Sequence, residues 1–164
     1  MKRSLVLIQF MLCASLALAA SEPREFMGVS WEAHINTLGE TTQIGNDRWT
    51  VMVTKKDENL TRGNVDLSHI SYSFYNDRFY CGYIEARGWN NCQQLLDVLI
   101  QKYGEPRQPN RFMKKFIWEW DRVSVFYSFS EITTKGQVMY LHKPTKDRLD
   151  REKKNQARSN SGGF

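Results

Sequence analysis

Apolar residues that alternate on either side of a two-residue turn are the feature that most constrains how this chain folds. Ile70, Tyr72 and Phe74 alternate with two serines and a tyrosine, which is typical of a β-strand with one buried face. The following Asn76 and Asp77 tolerate the positive φ that a tight hairpin requires. The pattern therefore predicts a β-hairpin that presents its apolar side to a core.

The pairing across this turn decides which side chains share the buried face. Counting outward from the turn places Phe74 opposite Phe79 and Tyr72 opposite Cys81. We therefore expect Cys81 to lie on the apolar face of the hairpin.

A helix is predicted after Asn90 or Asn91, either of which can cap its first turn. Apolar residues follow at the spacing of a core-facing stripe: Cys92, Leu95, Leu96, Leu99 and Tyr103. Gly104 ends the helix and Pro106 prevents its resumption. The stripe must pack against the predicted sheet.

Weaker patterns on either side suggest a duplicated plan. Residues 30–38 predict a short helix, residues 49–53 a strand, and residues 116–129 a second hairpin, with a last strand at 138–140. The expected fold class is α+β: an antiparallel sheet with helices packed on one face, built as two helix–strand–strand–strand repeats. Only a Gly-Glu pair after each helix matches strictly, so a chance likeness is the alternative.

The first twenty residues have the pattern of a secretory signal peptide. Lys2 and Arg3 precede an apolar stretch at residues 5–12, and Ala17-Leu18-Ala19 supplies the small residues that a signal peptidase recognises. We therefore expect a periplasmic or secreted protein, with a signal peptide at 1–20 and a single α+β domain at 21–142. A charged tail at 143–164, partly helical and partly disordered, completes the expected organisation.

Export would change both the number of cysteines in the mature protein and the redox state expected for them. Removal of the leader removes Cys13 and leaves two cysteines, and the compartment is oxidising. Because both predicted patterns direct Cys81 and Cys92 toward one core, we expect a disulfide between them. Two buried free thiols are the alternative.

The basic charge of the chain is confined to its ends. The whole chain carries a net charge of +5, to which residues 143–164 contribute seven Lys/Arg against three Asp/Glu. Residues 21–142 hold fourteen against fifteen, and such a near-neutral body argues against a nucleic-acid groove. The tail is expected to be a solvated helix over 145–158, with weak contact to anionic surfaces as an alternative role. No apolar run after the leader approaches the roughly 18 residues of a membrane span.

No constellation of catalytic, cofactor-binding or metal-binding residues stands out. His34 lies on the predicted core stripe of the first helix, whereas His69 and His142 are expected to be solvated at strand ends. None of the three is in an H-x-H or H-E-x-x-H motif, and no C-x-x-C or G-x-S-x-G motif occurs. The sequence therefore predicts no enzyme, no cofactor and no metal site.

Three segments resemble small exported bacterial proteins that are mostly uncharacterised. Residues 26–31 resemble their F-x-G-[IV]-x-[WF]-G opening, with Glu32 in place of the final glycine. Residues 72–80 resemble a Y-x-F-Y-N-G-[KR]-L-Y hairpin, and residues 102–106 a K-Y-G-x-P helix end. The repeated plan is also similar to the β-lactamase-inhibitor-protein-like fold, which includes an outer-membrane assembly factor and secreted inhibitors. The resemblance implies a protein-binding role.

One side of the first hairpin and the loop after it form the predicted contact surface. It combines residue types that anchor interfaces: Tyr75, Arg78, Tyr80, Ile84, Arg87 and Trp89. We expect a noncatalytic module that binds another envelope or secreted protein, as an accessory factor, inhibitor or immunity-type protein. The alternatives are a binder of a small ligand or cell-wall component through an aromatic cleft and, third, a hydrolase.

Overall fold

The computed structural model describes residues 21–161. The predicted signal peptide, residues 1–20, lies outside the described residues, as do the last three residues of the predicted tail. The described elements follow one another as β1 (Glu25–Phe26), β2 (Val29–Ser30), a 3₁₀ helix (Ile35–Leu38), β3 (Thr41–Asn46), β4 (Thr50–Lys55), β5 (Thr61–Arg62), β6 (Val65–Tyr75), β7 (Arg78–Arg87), α1 (Trp89–Tyr103), β8 (Lys115–Glu119), β9 (Val123–Ser130), β10 (Lys135–His142) and α2 (Lys143–Ser161).

An antiparallel sheet with the order β3-β4-β6-β7-β10-β9-β8 organises the molecule, and β5 pairs with β6 beside this path. Strands β3 to β7 form one meander and β8 to β10 a second one. Helix α1 connects the two meanders, so that β7 and β10 become neighbours in the middle of the sheet. The α+β prediction is confirmed. The second half follows the predicted helix–strand–strand–strand order, whereas the first half has a 3₁₀ helix followed by five strands, β3 to β7.

The first face of the sheet carries the main hydrophobic core. Alternate residues of the central strands point to it, among them Gly82, Ile84 and Ala86 of β7. Helix α1 covers this face, and the predicted stripe from Cys92 to Tyr103 is buried at every position. The buried side of α1 and its end at Gly104 are therefore as predicted, whereas its N-cap is Gly88 and not Asn90 or Asn91.

A β-bulge in the first hairpin changes the predicted pairing. The turn itself is as expected, because Asn76 and Asp77 both have positive φ, 49° and 58°. Phe74 pairs with Phe79, but Ser73 then pairs with Cys81, so that Tyr80 is an extra residue in β7. Since strand side chains alternate between faces, one extra residue turns every later side chain of β7 to the other face.

The N-terminal hairpin β1–β2 packs on the first face through Phe26. A Cβ atom placed on Gly82 would lie 2.4 Å from the Phe26 ring, so the close contact depends on the absence of a side chain. Phe26 also contacts the rings of Tyr72 and Tyr140, with ring centroids 5.4 and 5.1 Å away. The segment before the 3₁₀ helix therefore covers part of the hydrophobic core.

The predicted helix over residues 30–38 is shorter than expected. Ser30 belongs to β2, and Glu32 has a φ of 64°, which interrupts any right-handed helix at that point. His34 is not a core residue, since its Nδ1 atom accepts a hydrogen bond from the backbone N–H of Asn36 and caps the short helix. Only Leu38 of this helix is buried.

Helix α2 lies on the second face of the sheet, opposite α1. Lys153 pairs with Asp47 at 3.7 Å, and the charges of Glu152 and Lys146 act on Tyr75 and Cys81, which both point to the second face. The predicted solvated tail is thus a helix whose first half docks on the sheet. Leu149, its one large apolar residue, is 2% exposed. Within residues 21–161 no helix has the length and apolarity that crossing a bilayer requires.

Candidate functional site

The six residues of the predicted contact surface do not lie together. The bulge turns Ile84 into the core of the first face, where it is 3% exposed. Tyr75 is equally buried, because α2 covers the second face there, and burial and the nearby charge of Glu152 raise the pKa of its hydroxyl. Tyr80, the bulged residue, is half-buried. Tyr75 and Ile84 are therefore too buried to belong to the predicted hairpin surface, whereas Tyr80 remains partly accessible.

The other three predicted residues are exposed at two ends of β7. Arg78 lies beside the hairpin turn, where its guanidinium donates to the carbonyl of Glu32 at 3.3 Å. Arg87 and Trp89 lie at the opposite end, where the chain leaves the sheet for α1. Two of the three exposed residues, Arg87 and Trp89, therefore lie together at this second end.

The predicted disulfide is also wrong, since Cys81 and Cys92 are free thiols. Cys92 lies on the first face, with its Sγ 3.4 Å from the carbonyl oxygen of Ala86. Cys81 points to the second face because of the bulge, and four residues of strand separate it from Ala86. Burial raises the pKa of the Cys81 thiol to about 12 and also raises the pKa of Cys92. Neither thiol is poised as a nucleophile.

Exposed apolar and basic residues gather at the end of the sheet where β7, β9 and β10 meet α1. We call this region the end surface and define it by Trp89, Arg111, Phe112, Met113, Lys114, Phe129 and Ile132. Its members come from the start of α1, the loop before β8, the end of β9 and the turn between β9 and β10. Exposed apolar residues that cluster in this way mark contact sites more often than scattered ones do.

Local backbone geometry brings Trp89 to the end surface. Gly88 has a φ of 87°, which turns the chain sharply from β7 into α1. Its N–H donates to the carbonyl oxygen of Thr134 in the β9–β10 turn at 2.9 Å. Trp89 thereby stands next to Phe129, with the ring centroids 5.1 Å apart and the planes at 87°.

A cation completes this aromatic pair. The Lys114 ammonium lies 4.0 Å from the centroid of the Trp89 ring and 5.3 Å from that of Phe129. It also pairs with the carboxylate of Glu131 at 2.9 Å. Attraction between a cation and a ring face holds the ammonium over the exposed indole, which is 49% accessible.

Beneath these rings lies a cavity of about 340 Å³, which we call the aromatic pocket. Its lining combines apolar and aromatic side chains with amides and cations: Trp89, Gln93, Leu96, Gln108, Arg111, Lys114, Phe116, Tyr127 and Phe129. A mostly apolar pocket with a few polar groups is typical of ligand-binding and side-chain-binding sites. The pocket can hold an apolar group of a binding partner, and the cations at its rim, Arg111 and Lys114, can bind an acidic group of the same partner.

Two loop tips project beside the pocket. Phe112 is 82% exposed and Ile132 is 97% exposed, and both line a second, shallow cavity of about 400 Å³. Asn110 shapes the first loop, because its side-chain oxygen accepts the N–H of Phe112 at 2.9 Å. The Arg111 guanidinium lies 4.8 Å from the centroid of the Phe112 ring.

A chain of buried polar groups forms a second cluster, between α2 and the sheet. Thr145 donates from its hydroxyl to Glu32 at 3.1 Å, so His142 donates from Nδ1 to Thr145 at 2.9 Å. This order leaves the Nε2 atom of His142 as an acceptor, 3.3 Å from the Arg122 guanidinium. Arg148 of α2 also pairs with Glu32.

The environment of this cluster keeps His142 neutral. Burial lowers the pKa of His142, and the prediction that it is solvated is wrong, because it is 1% exposed. The Arg148 hydrogen bond holds the pKa of Glu32 below its usual value. Arg122 lies against Nε2, and through Glu32 the cluster ties α2 to the segment that follows β2.

The remaining histidine and the acidic residues form no further centre. His69 lies against the ring of Tyr83, with centroids 6.0 Å apart. In the described part of the chain, no group of three His, Cys, Asp or Glu residues is arranged to hold a metal ion.

Sequence reasoning found Trp89 but missed the residues around it. Phe112, Met113 and Ile132 are large apolar residues within otherwise polar, turn-forming segments. That contrast is a signal of exposure that the sequence offered. Comparison with known proteins adds nothing to the site, since no protein-family model, curated protein or solved structure matches the chain.

Proposed function

We propose that this chain is an exported, noncatalytic module that binds another envelope or secreted protein, as an accessory factor, an inhibitor or an immunity-type protein. The observation that supports the proposal most directly is the aromatic pocket with its exposed Trp89 and its rim of cations. Tryptophan, tyrosine and arginine supply most of the binding energy at protein interfaces. The predicted leader supports a periplasmic or secreted location.

The geometry favours a partner segment with an apolar side chain next to an acidic one. The apolar side chain would fill the pocket between Leu96 and Phe116. The acidic side chain would take the place of Glu131 as the partner of Lys114. Because Glu131 is exposed, such an exchange costs little desolvation.

The proposal is tested by capture from periplasmic extract followed by calorimetry with the purified partner. Replacing an aromatic anchor at an interface typically costs about 2 kcal/mol or more, which is about thirtyfold in Kd. We expect Trp89→Ser to weaken binding by at least that factor. Lys114→Gln should weaken it less and should reduce its dependence on salt.

Ile44→Ser is the matched control, since Ile44 is 46% exposed on β3, at the opposite edge of the sheet. It should bind like the unchanged protein. A partner whose affinity is unaffected by both Trp89→Ser and Lys114→Gln would show that the aromatic pocket is not the binding site. Thermal unfolding of each variant separates loss of binding from loss of folding.

A small ligand or cell-wall component is the second candidate for the same pocket. The observation in its favour is the cavity volume of about 340 Å³, which suits a small molecule. Soluble peptidoglycan fragments provide the test, with the Trp89 indole N–H resonance as the readout. Saturable shifts with these fragments, and no captured protein, would favour the ligand over the protein partner.

A further inference from the structure

We infer that the two loop tips of the end surface, Phe112 and Ile132, insert into an anionic phospholipid surface. The inference goes beyond the proposed function, because neither tip lines the aromatic pocket. A lipid surface and a protein partner would therefore use different apolar side chains, although both would contact the cations Arg111 and Lys114.

The exposure of the tips is the first observation. Phe112 is 82% and Ile132 97% exposed, whereas the other exposed large apolar residues of the described chain lie between 38% and 49%. Side chains that project this far have little protein around them to complete a concave interface. A bilayer supplies an apolar environment to a projecting side chain without requiring a matching pocket.

The tips are also held together, although they belong to different loops. The backbone N–H of Phe129 donates to the carbonyl oxygen of Lys114 at 2.9 Å, which joins the loop before β8 to the end of β9. The ion pair between Lys114 and Glu131, also at 2.9 Å, adds a second link between the two loops. Both tips therefore approach a flat surface as one unit.

Charge complementarity points to an anionic surface. The charged residues that line the cavity between the tips are Arg111, Lys114 and Lys115 against Glu131, a net charge of +2. Neither Arg111 nor Lys115 forms an ion pair with another residue of 21–161. Arg111 stacks on the Phe112 ring at 4.8 Å, so insertion of the ring brings the guanidinium to the depth of the lipid phosphates.

The test is sedimentation with vesicles of phosphatidylglycerol and phosphatidylcholine in equal parts, compared with phosphatidylcholine alone. The chain from Ser21 to Phe164 is used, because it contains every described element and lacks the apolar residues 5–12, which would bind lipid themselves. Cooperative thermal unfolding verifies that this chain and each variant are folded. We expect stronger binding to the anionic vesicles, and weaker binding as the salt concentration rises.

The double variant Phe112→Ser with Ile132→Ser should lower the partition coefficient at least tenfold. Arg111→Gln with Lys115→Gln should lower it about fivefold per cation, and only on anionic vesicles. The matched control is Ile44→Ser with Val98→Ser, since both residues are 46% exposed elsewhere on the molecule. The control should bind within twofold of the unchanged protein.

The inference is overturned if the unchanged protein does not sediment with the anionic vesicles, or if the tip variant binds them as well as the control does. It is also overturned if the tip variant loses capture of a protein partner while its vesicle binding is unchanged. The vesicle assay contains no protein partner, so its result is independent of whether the proposed protein-binding function is correct.

Discussion

At the residue scale, position 82 has no room for a side chain. A Cβ atom there would lie within 2.4 Å of the Phe26 ring, which is itself 2% exposed and cannot move into solvent without leaving the core. We predict that Gly82→Ala lowers the free energy of unfolding by about 2 kcal/mol, as overpacking of a core does. Urea unfolding provides the measurement. Gly45→Ala is the control, because its Cβ would meet its nearest neighbour at an ordinary 3.9 Å, and its stability should be unchanged or slightly raised.

The cysteines provide a second prediction at this scale. The chain from Ser21 to Phe164 carries Cys81 and Cys92, and the bulge directs them to opposite faces of the sheet. We expect a thiol reagent to label two thiols per chain after unfolding without reductant. In the folded protein labelling should be slow, because burial raises the pKa of both thiols. Labelling of fewer than two thiols in the unfolded, unreduced protein would mean that Cys81 and Cys92 form a disulfide after all.

His142 should make the stability depend on pH. Its pKa is lowered in the folded protein, mainly by burial and by the charges of Arg122 and Arg148, although Glu32 and Glu22 act in the opposite direction. The unfolded chain therefore binds a proton at higher pH than the folded protein does. The stability is fully present above the unfolded pKa near 6.5 and is lost as the pH falls from there through the folded pKa.

The measurement is the midpoint of thermal unfolding between neutral and mildly acidic pH. We expect the unchanged protein to lose stability below about pH 6.5, and His142→Gln to show a flatter profile over the same window. The pKa of Glu32 is also lowered, so a further loss should begin below about 4.5, its ordinary value, and should persist in His142→Gln. A parallel slope in both proteins near pH 6 would assign the effect to another group.

At the element scale, the sequence predicted the features that depend on neighbouring residues and missed the features that depend on distant ones. The stripe of α1 and the turn at Asn76-Asp77 are local patterns, and both are confirmed. The bulge at Tyr80 is not local: the groups that act on the Tyr80 hydroxyl include Thr50 of β4 and Asp150 of α2, whose positions the hairpin sequence does not contain. One missed residue then reversed the expected faces of Cys81 and Ile84.

The docking of α2 was missed for a related reason. Charge pairs four residues apart dominate residues 145–158, and this pattern is typical of a solvated helix. The attachment depends on single residues: Thr145, which donates to the distant Glu32, and Leu149, which is 2% exposed. The end surface was likewise found only in part, because Trp89 meets Phe129 only after the sheet has formed.

Leu149 provides the prediction at this scale. It is 2% exposed and is the one large apolar residue by which α2 contacts the sheet. We predict that Leu149→Ala costs about 2 kcal/mol, at the lower end for a buried leucine, because the helix can shift to fill the space. Cys81 should then react faster with a thiol reagent, since α2 covers the face on which it lies. Arg151→Ala, an exposed position on the same helix, should leave both quantities unchanged.

At the scale of the whole molecule, the two basic regions lie at opposite ends of the sheet. The end surface adjoins the start of β10 at Lys135, and α2 begins after its end at His142. Eight residues of extended strand separate them, on the order of 20 Å. That distance exceeds the screening length of about 8 Å in physiological salt, so each region acts on a partner independently of the other.

Part of the charge of α2 is also already neutralised by the sheet. Arg148 pairs with Glu32, and Lys153 pairs with Asp47. The positive charge that the helix can present to an anionic surface is therefore smaller than the net charge of +4 on residues 143–164. A protein that meets a membrane with its end surface would direct α2 away from the lipid. This arrangement opposes the alternative role suggested by the sequence, in which the basic tail contacts the anionic surface.

Contact with lipid through the end surface and contact through α2 predict opposite results for variants that lack two cations. Arg151 and Lys154 are exposed on α2, and Arg111 and Lys115 are exposed beside the loop tips. We predict that Arg151→Gln with Lys154→Gln changes binding to phosphatidylglycerol vesicles by less than twofold, because these cations are held away from a surface that touches Phe112 and Ile132. Arg111→Gln with Lys115→Gln removes the same number of charges and should weaken the same binding about fivefold per cation. The reverse order would mean that α2, and not the end surface, faces the lipid.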